Sequence, residues 1–226
     1  SLIFIFVIGE IGTKTPVLSL LITFLVSFIY FMIRSLKKKN YKIFAGLLII
    51  LTSVAVTSFL VVPKTNFYKN IMIHVKYLKL DSVDDIFEND YVFDHFIFSQ
   101  RITFLKNTSN RYDKASLKNK LFGIGYVNKN GKEYKAIEMD YYDVFYNHGI
   151  LGFILYFSVY IYSLYLVFKN LVKKIDFKQL MEYLSLILVL ILSLHSGHII
   201  TTPAVCIYVV IILKKLINNK ANFMNE

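Results

Sequence analysis

Two stretches constrain this chain more than any other. Pro16–Ile33 runs for 18 residues and Ile43–Val62 for 20 without one charged side chain. At 1.5 Å of rise per residue each would span roughly 27–30 Å as a helix, the thickness of a bilayer's hydrocarbon. A charge at mid-bilayer costs about 2.5–3.5 kcal/mol on the insertion scale, so two such runs are a membrane signature. A third, Val144–Phe168, has 25 residues. Met181–Leu194 and Ile199–Leu213 are shorter, parted by His195-Ser196-Gly197-His198. As one helix they would be far longer than a bilayer is thick, so they are expected to form a tight hairpin of two spans. Hydrophobic residues make up 56% of the chain and its mean hydropathy is +0.52, which fits an integral membrane protein better than a soluble domain. The expected fold class is all-α: a polytopic helical membrane protein with a large, mostly helical loop on one side. Ser1 falls inside an apolar run, so residues 1–8 read as the tail of an earlier span of a longer protein.

The net charge of +11 would suit a nucleic-acid binder, but its placement does not. Arg34, Lys37, Lys38, Lys39 and Lys42 fill one short connection, Lys169, Lys173, Lys174 and Lys178 another, and Lys214, Lys215 and Lys220 follow the last run. Cytoplasmic connections carry this bias. With those three clusters in the cytoplasm, the turn 9–15, the loop 63–143 and the turn 195–198 all fall outside. The loop itself is nearly balanced, with 13 Lys+Arg against 11 Asp+Glu. The chain therefore divides into spans over 1–62, an extracytoplasmic loop over 63–143, and spans with a cytoplasmic tail over 144–226. The lone Cys206 has no partner for an internal disulfide.

Within the loop, Phe67, Ile71, Val75 and Leu78 recur at helical spacing with lysines between them, which predicts an amphipathic helix over Asn66–Leu80. Val83–Phe98 mixes acids and aromatics without a clear period. Arg101–Asn107 and Arg111–Lys120 read as short helices. Gly123 and Gly125 bracket Ile124 at a sharp turn. From Glu138 a helix is expected to start outside and run without a break into the membrane, acids first as the helix dipole favours.

Arg101 carries a permanent charge on a fork that binds phosphate oxygens in pairs, beside a lipid surface where phosphate is the natural anion. Its alternative is an ordinary ion pair with a loop acid. Lys14, at the mouth of a span, either snorkels or supplies a second cation. Glu138, Asp140 and Asp143 offer a carboxylate at the membrane edge that could take a proton from a hydroxyl, or merely cap a helix. His148, His195 and His198 lie near the same face. Their spacing does not follow the His-Glu-x-x-His of a zinc helix, so hydrogen bonding or substrate contact is the expected role. No Walker loop, dinucleotide glycine pattern or serine elbow occurs, and neither metal nor cofactor is called for.

The order of these parts resembles the C-terminal half of the bacterial O-antigen polymerase/ligase superfamily of polysaccharide-assembly membrane proteins. Gly12-Thr13-Lys14-Thr15, Arg101, Gly123-Ile124-Gly125, Glu138-Met139-Asp140-Tyr141 and Gly149-Ile150-Leu151-Gly152 match its pattern in order, over essentially the whole chain. Many relatives have His-Asn where Glu138-Met139 stands and Arg where Lys14 stands, a departure closer to the polymerase-like branch. The resemblance implies metal-independent glycosyl transfer from an undecaprenyl-diphosphate-linked glycan, in a bacterial plasma membrane. Arg101, Glu138 and Asp140 would be catalytic. Lys14, Arg111, Gly123, Gly125, Asp143, His148, His195 and His198 would bind substrate. It further implies membrane lipid, and a flippase and chain-length regulator of the same pathway, as partners. A ligase with another acceptor is the alternative within this chemistry, and a flippase or transporter the one outside it. Transporters place ionisable groups or broken helices at mid-membrane, whereas the long runs here carry none.

Overall fold

The structure, a computed structural model, describes residues 14–81, 84–126, 134–171 and 175–223, with side chains through residue 217. The expected truncated span over 1–8 and the Gly12-Thr13 part of the first motif lie outside those residues. Among the described residues every regular element is helical, and four helices are long and apolar enough to cross a membrane. The protein is an all-α membrane protein. The chain forms two compact units, residues 1–86 and 87–226.

In the first unit, α1 (Lys14–Lys37) and α2 (Tyr41–Val61) are joined by the basic turn Lys38-Lys39-Asn40. The turn is fixed locally. Lys39 takes left-handed backbone (φ 53°), and the Asn40 side chain accepts from the Ile43 N–H at 3.2 Å. Within α1 the hydroxyls of Ser19, Thr23 and Ser27 donate to the carbonyls of Thr15, Ser19 and Thr23, each four residues back, at 2.7–2.9 Å. In hydrocarbon a hydroxyl must find such a partner. No residue of α2 is buried, and Phe59 is 84% exposed. A whole apolar helix left so bare is suited to lipid, not water. α3 (Asn66–Tyr77) is the amphipathic helix that the periodicity predicts, opened by Thr65, whose hydroxyl accepts from the Tyr68 N–H at 3.4 Å.

The second unit holds α4 (Asp90–Phe98), α5 (Arg101–Asp113), α6 (Leu117–Phe122), α7 (Asp140–Leu171), α8 (Phe177–His195) and α9 (Pro203–Phe223). Its core is shared by three of them: Phe157, Tyr160 and Val167 of α7, Tyr183, Leu186 and Leu190 of α8, and Val209 and Leu213 of α9. Asp176 and Gln179 form a reciprocal capping box that starts α8, and Lys215 of α9 pairs with Glu182 of α8 at 2.5 Å.

Three sequence expectations are corrected. First, α5 is one helix through Asp113, not two short ones meeting near Asn107-Thr108-Ser109-Asn110. Those four are poor helix formers, but Thr108 and Tyr112 bury against the unit, and tertiary packing overrides propensity. Second, the break after α8 covers residues 196–202, wider than the four-residue turn expected. Third, the helix begun at Asp140 does not run straight. Gly149 has φ 69° and ψ −173°, which bends α7 sharply. Tyr141 and Phe157 stack with ring centroids 4.5 Å apart, although 16 helical residues would separate them by roughly 24 Å. Residues 140–148 therefore fold back along the start of the apolar segment. The bend frees the Tyr146 carbonyl, which an unbroken helix would give to residue 150, and the Ile124 N–H donates to it at 2.9 Å.

Candidate functional site

Gly123 and Gly149 make the site possible. At Gly123 (φ 99°) a Cβ would lie 2.0 Å from the Asn147 carbonyl oxygen, and at Gly149 one would lie 2.5 Å from backbone atoms of Leu121 and Gly123. Only glycine allows this back-to-back crossing. It fixes the end of α6 against the bend in α7, and with it the segment 134–140 that enters α7. Gly125 also has left-handed backbone (φ 71°), but open space surrounds it.

Arg101 opens α5 after a turn of two left-handed residues, Ser99 and Gln100. That helix start is held from a distance. The buried Asp94 carboxylate accepts from the N–H groups of Ile102 (3.0 Å) and Thr103 (3.1 Å) and from the Thr103 hydroxyl (2.8 Å). The Arg101 guanidinium donates through Nη1 to the His195 carbonyl at 3.2 Å and through Nη2 to Glu138 Oε2 at 3.4 Å. Its Nε is buried with no acceptor. The Glu138 side chain is 41% exposed, so the ion pair is long and solvated, the kind that contributes little stability. Of the six non-glycine residues with left-handed backbone among the described residues, four stand in segments meeting here: Ser99, Gln100, Glu138 and His198. Strained backbone persists where surrounding structure enforces it, as at binding and catalytic sites.

Asp140 is 1% exposed and fully engaged. Its Oδ1 accepts from the His198 N–H (2.8 Å) and the Thr201 hydroxyl (2.6 Å), and its Oδ2 from the N–H groups of Ile199 (2.9 Å) and Ile200 (2.8 Å). One carboxylate thus satisfies three consecutive backbone donors of the irregular 196–202 stretch, of which the Ile200 N–H, on a residue 1% exposed, would otherwise be buried unpaired at about 1–3 kcal/mol. The same stretch follows the His195 carbonyl that holds Arg101. It also contains Gly197, where a Cβ would come within 2.5 Å of the Glu138 backbone. Asp143 is likewise occupied: it accepts from Ile137 (3.0 Å) and Met139 (3.2 Å), and its own N–H donates to the Met139 carbonyl.

The remaining candidates have separate settings. His148 is exposed and shares a hydrogen bond of 3.2 Å with the Tyr126 hydroxyl. Burial first and the Asp143 carboxylate second hold that phenol above its ordinary pKa, so it remains neutral. His195 contributes its carbonyl and His198 its N–H. Arg111 lies over the Tyr134 ring, 3.1 Å from its centroid. Lys14 belongs to the other unit, where it opens α1. Among the described residues no group of three or more His, Cys, Asp or Glu converges as metal ligands would.

Asp94, Gly197 and Thr201 are not among the site residues expected from the sequence. Only Asp94 left a trace, as an acid shortly before a helix start whose own N-cap, Gln100, makes no side-chain cap. Asp94→Ala is expected to cost about 1–2 kcal/mol through the lost cap, seen as a lower melting temperature in detergent. A melting curve unchanged from the parent would show that the cap carries nothing.

Fold and site define a helical membrane protein whose irregular segments meet around one anchored arginine. Residues 85–222 match the model of a family described as O-antigen ligase like membrane protein, and the chain belongs to that family. The family points to a membrane enzyme that handles lipid-linked glycans. No curated protein and no solved structure matches the chain.

Proposed function

We propose that this protein is a glycosyltransferase of the bacterial plasma membrane, with residues 63–143 on the extracytoplasmic side. It would join undecaprenyl-diphosphate-linked repeat units into a surface polysaccharide. The observation that carries the reading is the Arg101–Glu138 pair: a permanent cation anchored on a backbone carbonyl, beside a half-exposed carboxylate held only weakly.

The chemistry follows from those two groups. In glycosyl transfer an acceptor hydroxyl attacks the anomeric carbon, the bond from that carbon to the diphosphate oxygen breaks, and the hydroxyl proton leaves. Negative charge grows on the diphosphate, where a pre-placed guanidinium stabilises it more than it stabilises the bound substrate. A docking diphosphate competes with Glu138 for Arg101, and at 3.4 Å the carboxylate is readily displaced. Once displaced, Glu138 can take the acceptor's proton. Attack opposite the diphosphate inverts the anomeric centre. Asp140 acts through position: it holds the stretch that holds Arg101 and backs Glu138. A ligase would run the same steps onto another acceptor; Glu138 in place of the His-Asn of many relatives favours the polymerase.

Arg101→Ala is expected to lower transfer from a lipid-diphosphate-linked repeat unit by roughly 10²–10³-fold, with membrane insertion intact, and Arg101→Lys to recover part of it. The measurement is polymer length made by purified protein in detergent or vesicles. Polymer of parental length from Arg101→Ala would overturn the assignment.

A further inference from the structure

The amphipathic helix α3 has two apolar sides, and the protein covers only one of them. Phe67, Ile71, Val75 and Leu78 form the covered side, with Val75 buried and the others half-buried. Tyr68, Met72, Ile73 and Tyr77 are exposed, Ile73 at 63% and Tyr77 at 71%. At about 100° per residue the order around the helix is Tyr68, Met72, Lys76, Lys69, Ile73, Tyr77, which fills half its circumference. Two exposed lysines thus stand in the middle of a face whose flanks are aromatic and aliphatic. An apolar patch of this kind marks a surface that meets something other than water.

What meets it follows from where the helix starts. The apolar span containing α2 reaches Lys64 through the short helical turn Val62–Lys64, and α3 begins at Asn66. Consecutive Cα atoms are about 3.8 Å apart, so Asn66 lies within about 8 Å of Lys64, roughly the thickness of a headgroup layer. The charge agrees. Residues 62–80 hold Lys64, Lys69, Lys76 and Lys79 and no acid; the acids of the loop begin only at Asp81. The ion pairs among the described residues are Arg101–Glu138 and Lys215–Glu182, so none of these four lysines takes part in one. The mixture of side chains agrees as well. Tyrosine favours the headgroup level, and lysine lays its methylene stem along apolar surface while its ammonium reaches outward to an anion.

We propose that α3 is an interfacial helix whose exposed face sits in the headgroup layer of the bilayer. Its lysines lie on the phosphates of anionic phospholipid, and Met72 and Ile73 rest among the first methylenes of the acyl chains. A soluble acidic protein would match the lysines, but not a helix start tied to the end of a span. The proposal stands apart from the transfer reading and asks nothing of Arg101 or Glu138.

The chain contains no tryptophan, so Ile73→Trp puts a single indole on the exposed face of the full-length chain. In vesicles of phosphatidylcholine with phosphatidylglycerol, the indole's emission should be blue-shifted, quenched by lipids brominated near the top of the acyl chain, and resistant to acrylamide. In phosphatidylcholine alone acrylamide should quench it more. Lys69→Gln combined with Lys76→Gln should shift the balance from seated to lifted helix by roughly tenfold or more in the anionic vesicles, and high salt should act in the same direction. Met72→Trp reads the same face from a neighbouring position, and melting curves confirm that each variant folds. An indole open to acrylamide and untouched by brominated lipid overturns the proposal. So does lipid quenching that is equal in neutral and anionic vesicles and unmoved by the lysine changes. Shielding present in native membranes but lost in pure lipid vesicles would assign the face to a protein partner and overturn it equally.

Discussion

Replacing Asp140 by alanine is expected to unpin residues 198–201 and remove at least about 3 kcal/mol of stability, because three backbone N–H groups and the Thr201 hydroxyl lose their acceptor together. Asparagine should fall between. Its amide oxygen can still accept two bonds, but its NH₂ faces donors where the second carboxylate oxygen had faced them. The loss should extend to transfer, because the stretch released follows the His195 carbonyl on which Arg101 rests. Thermal unfolding in detergent measures the lost stability, protease cleavage within 196–202 reports the release of the stretch, and polymer made by the purified protein reads the loss of transfer. Were Asp140→Ala to melt within about 0.5 kcal/mol of the parent, the carboxylate would not be what holds that stretch. Sealed in at 1% exposure with both oxygens occupied, Asp140 has none free to reach an acceptor hydroxyl, which leaves Glu138, solvated and weakly paired, as the candidate base.

Gly149→Ala should be at least as damaging, for a different reason. The new methyl would stand 2.5 Å from Gly123 N and from the Leu121 carbonyl carbon and oxygen, all backbone atoms that no rotamer change can move. The Gly149 backbone, φ 69° with ψ −173°, lies where essentially only glycine is found, which adds about 1–3 kcal/mol for any residue with a Cβ. Gly125→Ala is the contrast: it also has positive φ (+71°) but stands in open space, so it should cost only about 1–2 kcal/mol. The ordering Gly149→Ala well below Gly125→Ala in melting temperature is the expected result. Equal melting of the two would mean that the crossing with Leu121 and Gly123 relaxes freely, and that only backbone conformation matters.

What could be read in the chain follows the range of the physics. The apolar runs of α1, α2 and α7 and the amphipathic period of α3 are local, and the corresponding helices are present. The Gly123 and Gly149 motifs were visible as glycines, but not their mutual contact, because nothing in the order of residues says which two backbones touch. Arg101 and Glu138 are 37 positions apart, and Asp140 is about 60 from the donors it serves. No spacing rule reaches that far. The three acids at the start of α7 look alike in sequence. They differ by environment: Asp140 is sealed in by the 198–201 stretch, Asp143 turns back on its own helix start, and Glu138 faces water. The expectation of an unbroken helix failed at Gly149 because a glycine in an apolar run is tolerated as often as it bends the run.

The bend also settles a problem of length. Thirty-two residues in a straight helix would reach roughly 48 Å, well beyond a hydrocarbon layer of about 30 Å. Folding at Gly149 leaves 22 residues, 150–171, or roughly 33 Å, to match the slab with a slight tilt. The leading turns double back beside the first two turns of that segment, where Tyr141 rests on Phe157, so the span gains a second layer at one end without growing longer.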